Sequence, residues 1–298
     1  MNKLTINACP LCQHNHLRFA MKCEDHYASG EQFELYECED CGFIFTQNVP
    51  VEEEIGRYYE TPGYISHSDT KKGLVNTLYH TVRMYMLGRK ARLISRILGK
   101  SSGNLLDVGT GTGYFPNAMK QRGWTVEAVE KNEQARQFAK ENFKLDIKDP
   151  GALTELPAKS FDVITLWHVM EHLENLHETW ERFYQLLADD GVLIIAVPNC
   201  KSYDASRYGR YWAAYDVPRH LWHFTPNTIQ QFGCKHNFIL ADQYPMPFDA
   251  FYVSILSEKY MKSSAAFLKG ICSGFIGWFQ SLVNKEKSSS IIYVFRKK

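Results

Sequence analysis

Apolar and polar positions change period several times along the chain, and those changes mark out its elements. Leu105, Leu106 and Val108 form a short apolar run that breaks into alternating glycines, as a buried strand does when it enters a tight turn. A helix is expected from about Phe115. Thr125 to Val129 reads as a second strand and Glu133 to Asn142 as a helix. Leu145 to Ile147 is a weak third strand, and Phe161 to Leu166 a clear fourth. A helix through Leu187 leads to a fifth strand, Gly191 to Val197. Phe238 to Gln243 and Ile291 to Phe295 complete seven. Strands that alternate with helices predict an α/β fold, an open sheet with helices on both faces. Upstream, Leu74, Leu78, Val82, Met86, Leu93 and Ile97 recur at helical spacing. Between the last two strands, Asp249 to Lys262 and Ala265 to Val283 predict two helices in an insertion of about 249–287. That link is long for adjacent strands. Its aromatic residues would cover a cleft or the sheet edge, or join two copies in a homodimer. A membrane-surface helix would have a thin basic face, Lys262, Lys269 and Lys285.

The glycine turn is the first chemical signal. Asp107-Val-Gly109-Thr110-Gly111-Thr-Gly113 places three glycines two apart behind an acid. Glycine lets backbone approach a ligand closely, and the free N–H groups of the next helix face it. The turn alone points to a nucleotide without saying which. Glu130, followed by Lys131, ends the second strand near the usual βαβ spacing from Gly113. A carboxylate there accepts hydrogen bonds from ribose hydroxyls.

Cysteine usage adds a metal. Eight cysteines are present, and Cys9-Pro-Leu-Cys12 and Cys38-Glu-Asp-Cys41 form two C-x2-C knuckles. Two knuckles make a tetrahedral four-cysteine zinc site, against the alternative of four core thiols. With strands around Phe33 to Tyr36 and Phe43 to Phe45, residues 1–50 look like a zinc ribbon. A closed all-cysteine site leaves no coordination position for chemistry, so this zinc would be structural. Residues 51–100 would be a linker with helix, in which Pro62-Gly63 suggests order and Tyr64 could reach a cofactor pocket. The main domain would be 101–298.

Composition narrows the partners. The chain has 298 residues, 45% hydrophobic and 22% charged, with a net charge of +1. A broad nucleic-acid surface is disfavoured. The N-terminus lacks the apolar core of a signal peptide, and no stretch approaches the ~20 apolar residues of a membrane span. A cytoplasmic protein is expected.

Two further clusters carry candidate chemistry. The fourth strand runs into Trp167-His168-Val-Met-Glu171-His172, at the strand end where open α/β sheets bind ligands. After the fifth strand comes Asp216-Val-Pro-Arg219-His220-Leu-Trp-His223, among aromatics. Imidazole titrates near neutrality, so His220 could take a proton from an acceptor. Arg219 could clamp a carboxylate or phosphate. The alternative is a structural Asp216–Arg219 pair.

Asp-x-Gly-x-Gly-x-Gly at 107–113, Glu130, Phe161-Asp-Val-Ile and Gly191-Val-Leu-Ile-Ile together resemble the class I S-adenosylmethionine-dependent methyltransferases. The resemblance covers about 105–200 well and implies a Rossmann-like seven-stranded sheet. It implies that Gly109, Gly111 and Gly113 pack on the methionine part of S-adenosylmethionine, that Asp107 holds the loop and the amino group, and that Glu130 holds the ribose. Thr110, Lys131 and Trp167 would line the same pocket, and Asp149 would approach the adenine. The His-x-x-Glu-His arrangement resembles a region of ubiquinone-pathway O-methyltransferases, where a Glu-x-x-Glu-His set can bind a divalent ion; here His168 replaces the first Glu. Asp-x-Pro-Arg-His-Leu is similar to a piece of bacterial zinc-ribbon methyltransferases. The expected function is methyl transfer to a small-molecule or glycan-linked acceptor, with His220, His168, Arg219 and His172 as catalytic candidates. An RNA methyltransferase that uses the ribbon and the Arg83–Arg96 helix is the second reading, and a non-catalytic cofactor-binding scaffold the third.

Overall fold

The computed structural model describes residues 3–59, 74–246 and 248–298, with backbone only at 52–53 and 74–81. Pro62, Gly63 and Tyr64 lie outside the described residues, as do the side chains of Leu74 and Leu78.

Besides a two-residue pairing of Lys3–Leu4 with Val49–Pro50, the N-terminal segment supplies three strands: β1 (Leu17–Glu24), β2 (Gln32–Cys38) and β3 (Ile44–Gln47). The long helix α1 (Leu74–Leu98) precedes β4 (Asn104–Val108), α2 (Tyr114–Lys120), β5 (Thr125–Val129) and α3 (Glu133–Phe143). Asn132 caps α3 by accepting from the Ala135 N–H, and Lys144 ends it in the left-handed conformation. Next come β6 (Phe161–Trp167), α4 (Leu176–Leu186), β7 (Leu187–Pro198) and α5 (Tyr203–Tyr208). The chain closes with β8 (Trp222–His223), α6 (Pro226–Lys235), β9 (Phe238–Pro245), α7 (Asp249–Tyr260), α8 (Ala266–Val283) and β10 (Ser290–Lys297). A Thr225–Thr228 capping box with Pro226 in the first turn fixes the start of α6.

One sheet has the order β9-β10-β7-β6-β4-β5. Its β4–β5 and β4–β6 pairs are parallel. Val163, Ile164 and Leu166 of β6 and every residue from Val192 to Val197 of β7 are buried, the continuous apolar pattern of strands covered on both faces. The expected third strand is reduced to a single bridge, Val129 to Lys148. Only a short segment separates the left-handed Lys144 from Asp149, which caps the following turn, and Leu145 and Ile147 pack against Ala128 and Ala139. The described sheet therefore has six strands, not seven.

The second sheet is antiparallel, in the order β8-β3-β2-β1. Its fourth strand comes from far along the chain: Trp222 faces Phe45 and His223 faces Ile44. The chain forms two compact units. Unit 1 comprises Met1–Thr61, Met170–Leu176 and Ala196–Tyr293; unit 2 comprises Pro62–Val169, His177–Ile195 and Val294–Lys298. The ribbon-like segment thus shares a unit with the His220 loop and the helical insertion.

Candidate functional site

In unit 2 the glycine turn leaves the buried end of β4. The Gly109 and Thr110 N–H groups donate to the Val129 carbonyl at 2.8 and 3.2 Å, which ties the turn to β5. The three glycines differ in what they do. A Cβ at Gly109 would lie 2.5 Å from a Val169 methyl, and one at Gly113 would lie 2.9 Å from Ala139. Both are packing positions with positive φ. Gly111, at φ +58°, has nothing within 4 Å of a built Cβ among the described residues. Its N–H donates to Glu130 Oε2 at 2.7 Å, and Asn132 N–H donates to Glu130 Oε1 at 2.9 Å. Glu130 therefore braces the turn, and its remaining lone pairs can still accept from hydroxyls.

Asp107 is buried behind the turn and accepts from Thr165 Oγ1 at 2.6 Å. Burial pushes its carboxyl up to about 6. Trp167, at the end of β6, packs edge-on against Phe115, and Lys90 Nζ stands 4.1 Å from the centre of an indole ring. The Trp167 indole N–H is buried with no hydrogen-bond partner among the described residues. A polar ligand would satisfy it, so the residues fit a bound cofactor. His168 follows with φ +58°. Lys131 is exposed, and Asp149 accepts from Gly151 N–H at the start of a 3-10 turn. Arg136, which no motif marks in the sequence, gathers this corner: it donates to the Glu130 and Lys131 carbonyls at 2.7 and 2.8 Å and lies 3.5 Å from Asp149.

Unit 1 holds the second cluster. Glu171, His172 and His220 bring one donor atom each within 4.8 Å of one another. The two imidazoles meet edge to face with centroids 4.6 Å apart. His172 Nδ1 lies 2.9 Å from the Arg219 carbonyl and His220 Nδ1 lies 2.9 Å from the Ala214 carbonyl. A carbonyl only accepts, so each Nδ1 carries a proton; burial keeps the His172 ring neutral with a lone pair on Nε2, and His220 Nε2 lies 3.8 Å from Asp216 Oδ2. Tyr59 Oη also reaches His172 Nδ1, at 3.2 Å. Such a set can take a proton or ligate a divalent cation.

Arg219 requires a correction. It is 2% exposed, and its guanidinium donates to both Asp216 oxygens at 2.6 and 3.0 Å, to Asp25 Oδ1 at 2.9 Å and to the Tyr58 carbonyl at 2.9 Å. Asp25 in turn accepts from the N–H groups of Tyr27, Ala28 and Ser29. The arginine holds the loop to the N-terminal segment and does not clamp an acceptor. Sequence reasoning misses Asp25, although Asp25 to Gly30 carries the residue types of a turn.

The four knuckle cysteines converge in the same unit. Their sulfurs lie within 4.8 Å of one another, with Cys9–Cys41 and Cys12–Cys38 both at 3.5 Å. Tetrahedral zinc at its usual Zn–S length sets sulfurs about 3.8 Å apart. The backbone N–H groups of Leu11 and Cys12 point at Cys9 sulfur, and that of Phe43 at Cys41 sulfur. The cluster is compatible with a zinc ion.

The buried histidines predict an acid-sensitive fold. Burial, reinforced by His220, pushes His172 down from 6.5 to about 4, and burial pushes His223 down from 6.5 to about 3. His223 Nε2 donates to Thr46 Oγ1 at 3.0 Å, since that hydroxyl already donates to the His220 carbonyl. Below pH 6.5 these rings bind protons in the unfolded chain before the folded one, so stability falls as pH drops toward 4. Asp107 opposes this, because its raised pKa favours folding as pH falls below about 6. Burial raises the Asp204 carboxyl in the same sense, while Asp216, against its burial, is held down by the Arg219 guanidinium and acts with the two rings. The melting temperature should be lower at pH 5 than at pH 7, and His223→Gln should flatten that dependence; a rise on acidification would contradict the neutral buried rings.

This chain is similar to known proteins over part of its length. Residues 82–241, more than half of the chain, match the family model described as a methyltransferase domain. An uncharacterized methyltransferase of Alkaliphilus oremlandii is 31% identical over 103 residues, 34% of this chain and 48% of the relative. One from Staphylococcus carnosus is 26% identical over 108 residues, 35% of this chain and 52% of the relative. The chain spans about half the length of the curated relatives it matches. The geranyl diphosphate C-methyltransferase of Streptomyces coelicolor A3(2), solved with Mg2+, geranyl diphosphate and S-adenosyl-L-homocysteine, has a TM-score of 0.51 at 13% identity, over 80% of this chain and 87% of that one. At that identity the likeness is one of fold. With its family model matched over more than half its length, the chain belongs to the methyltransferase-domain family.

Proposed function

We propose that this chain transfers a methyl group from S-adenosylmethionine to a small-molecule or glycan-linked acceptor. The observation that carries the reading is Gly111, which stands over open space at positive φ with its N–H held by Glu130. Among the described residues no packing demand explains that glycine; its left-handed φ suits glycine, and the open space before it suits close approach of a ligand. The unsatisfied Trp167 indole N–H and the family membership support the same cofactor.

When bound, S-adenosylmethionine supplies an electrophilic methyl on a sulfonium. Glu130, braced by the turn, would hold ribose hydroxyls, and Asp107 would order the turn from behind. Gly109 and Gly113 hold its shape by packing. Lys131 and Asp149 line the Arg136 corner, where we place the adenosine end. In unit 1, His220 Nε2 would take the acceptor proton. His172 presents a neutral imidazole beside it, and Tyr59 holds His172. We keep His168 as a further acceptor-side candidate because its left-handed backbone is a strained position for a histidine. Methyl transfer needs the nucleophile aligned with carbon and sulfur, so positioning carries much of the rate. Zinc on Cys9, Cys12, Cys38 and Cys41 would be structural.

Transfer of label from methyl-labelled cofactor into metabolite and glycan pools would find the acceptor. On that acceptor, His220→Gln should lower kcat by about 100-fold or more, the range of a lost general base, with cofactor affinity unchanged. Equal losses in kcat and cofactor affinity would make His220 structural.

A further inference from the structure

Helix α8 is built inside out. Gly270, Ser273, Gly274, Gly277 and Ser281 are its buried residues. Phe267, Leu268, Phe275, Phe279, Leu282 and Val283 point outward, each between 55% and 79% exposed. The inner stripe exists so that two backbones can meet. A Cβ at Gly270 would lie 2.5 Å from Ile255 Cα, and one at Gly274 would lie 2.7 Å from Phe251 Cα, both on α7. Ser254 and Ser273 meet across the same contact at 3.5 Å. Helix α7 is itself fastened to unit 1: Ala213 N–H donates to Ser257 Oγ at 2.9 Å, and Tyr208 Oη donates to the buried Glu258 at 3.2 Å.

Small residues between helices with large apolar ones outside is how helices pack where the surroundings are lipid. In water the arrangement would be reversed. Among the described residues α8 is also the one helix long and apolar enough, by length and composition, to cross a membrane. Its inner face is already occupied by α7, so it would lie along a surface.

Charge decides what covers it. Lys259, Lys262 and Lys269 are exposed at one end and Lys285 and Lys287 at the other, where Glu286 lies between them and Asp242 stands 3.9 Å from Lys285; α8 itself contains no acidic residue. A second copy joined by a two-fold axis would set these lysine clusters against each other. Anionic headgroups complement the Lys259, Lys262 and Lys269 end most strongly.

We propose that the outer face of α8 docks this protein on an anionic lipid bilayer, with the aromatic and aliphatic residues in the acyl boundary and the lysines among the headgroups. The full chain should co-sediment with vesicles of phosphatidylcholine mixed with phosphatidylglycerol, less well with phosphatidylcholine alone, and less well in high salt. The double change Phe279→Glu with Leu282→Glu should reduce that binding about tenfold or more, with the melting temperature retained. Lys262→Glu with Lys269→Glu, outside the apolar face, should remove the preference for the anionic vesicles. Wild-type protein that stays in the supernatant with both vesicles would overturn the proposal. So would a wild-type dimer by light scattering that the Phe279→Glu, Leu282→Glu variant converts to monomer without any vesicle binding.

Discussion

Replacing Cys9 and Cys41 together by serine should strip one zinc per chain and unfold the N-terminal part of unit 1. Those sulfurs are 3.5 Å apart, one from each knuckle, so the double change removes a ligand from both. Burial pushes the Cys9 thiol up to about 11, and a cation must drive its deprotonation. Metal uptake should therefore release protons and weaken in acid. Structural zinc contributes on the order of 10 kcal/mol to small zinc domains, comparable to the whole stability of an ordinary domain. The damage should not stop at residue 50. β3 pairs with β8, Thr46 holds the His220 carbonyl at 2.7 Å, and Asp25 holds Arg219 at 2.9 Å. Loss of zinc should thus loosen the loop that carries His220, and methyl transfer should fall with the metal content. Elemental analysis and thermal unfolding read both effects. Native protein without zinc, or a double variant with an unchanged melting temperature, would remove the metal from the account.

The signals legible in sequence are local ones. The glycine turn, Glu130, both knuckles and the two helices of the insertion are each carried by residues a few positions apart. Strand β7 starts at Leu187, earlier than the expected Gly191. The third strand does not form because Leu145 and Ile147 have too short a span between a left-handed helix cap and the Asp149 turn.

Long-range partners are not legible. Asp25 and Arg219 are 194 positions apart, and the Arg219 side chain reads as free for a substrate until that partner is known. The same holds for His220, which meets Glu171 and His172, whereas proximity in sequence favours the run His168 to His172 alone. Helix α8 shows a different limit. Its apolar spacing is plain, but which side is buried depends on the small residues that α7 meets, and periodicity alone points the large residues inward.

The methyl-donor assignment stands or falls on calorimetric binding of S-adenosylmethionine. The wild-type chain should bind one equivalent. Gly111→Arg should weaken that binding by about a hundredfold or more, equivalent to about 2.7 kcal/mol. An arginine there would occupy the open space in front of the turn, and a side chain at φ +58° adds about 1–2 kcal/mol of backbone strain. Because no described residue lies within 4 Å of that position, the fold should survive the change, and a melting temperature lowered by only a few degrees would show that it had. Absence of binding by the wild type, or equal binding by the two proteins, would contradict the assignment of the glycine turn as the methyl-donor site.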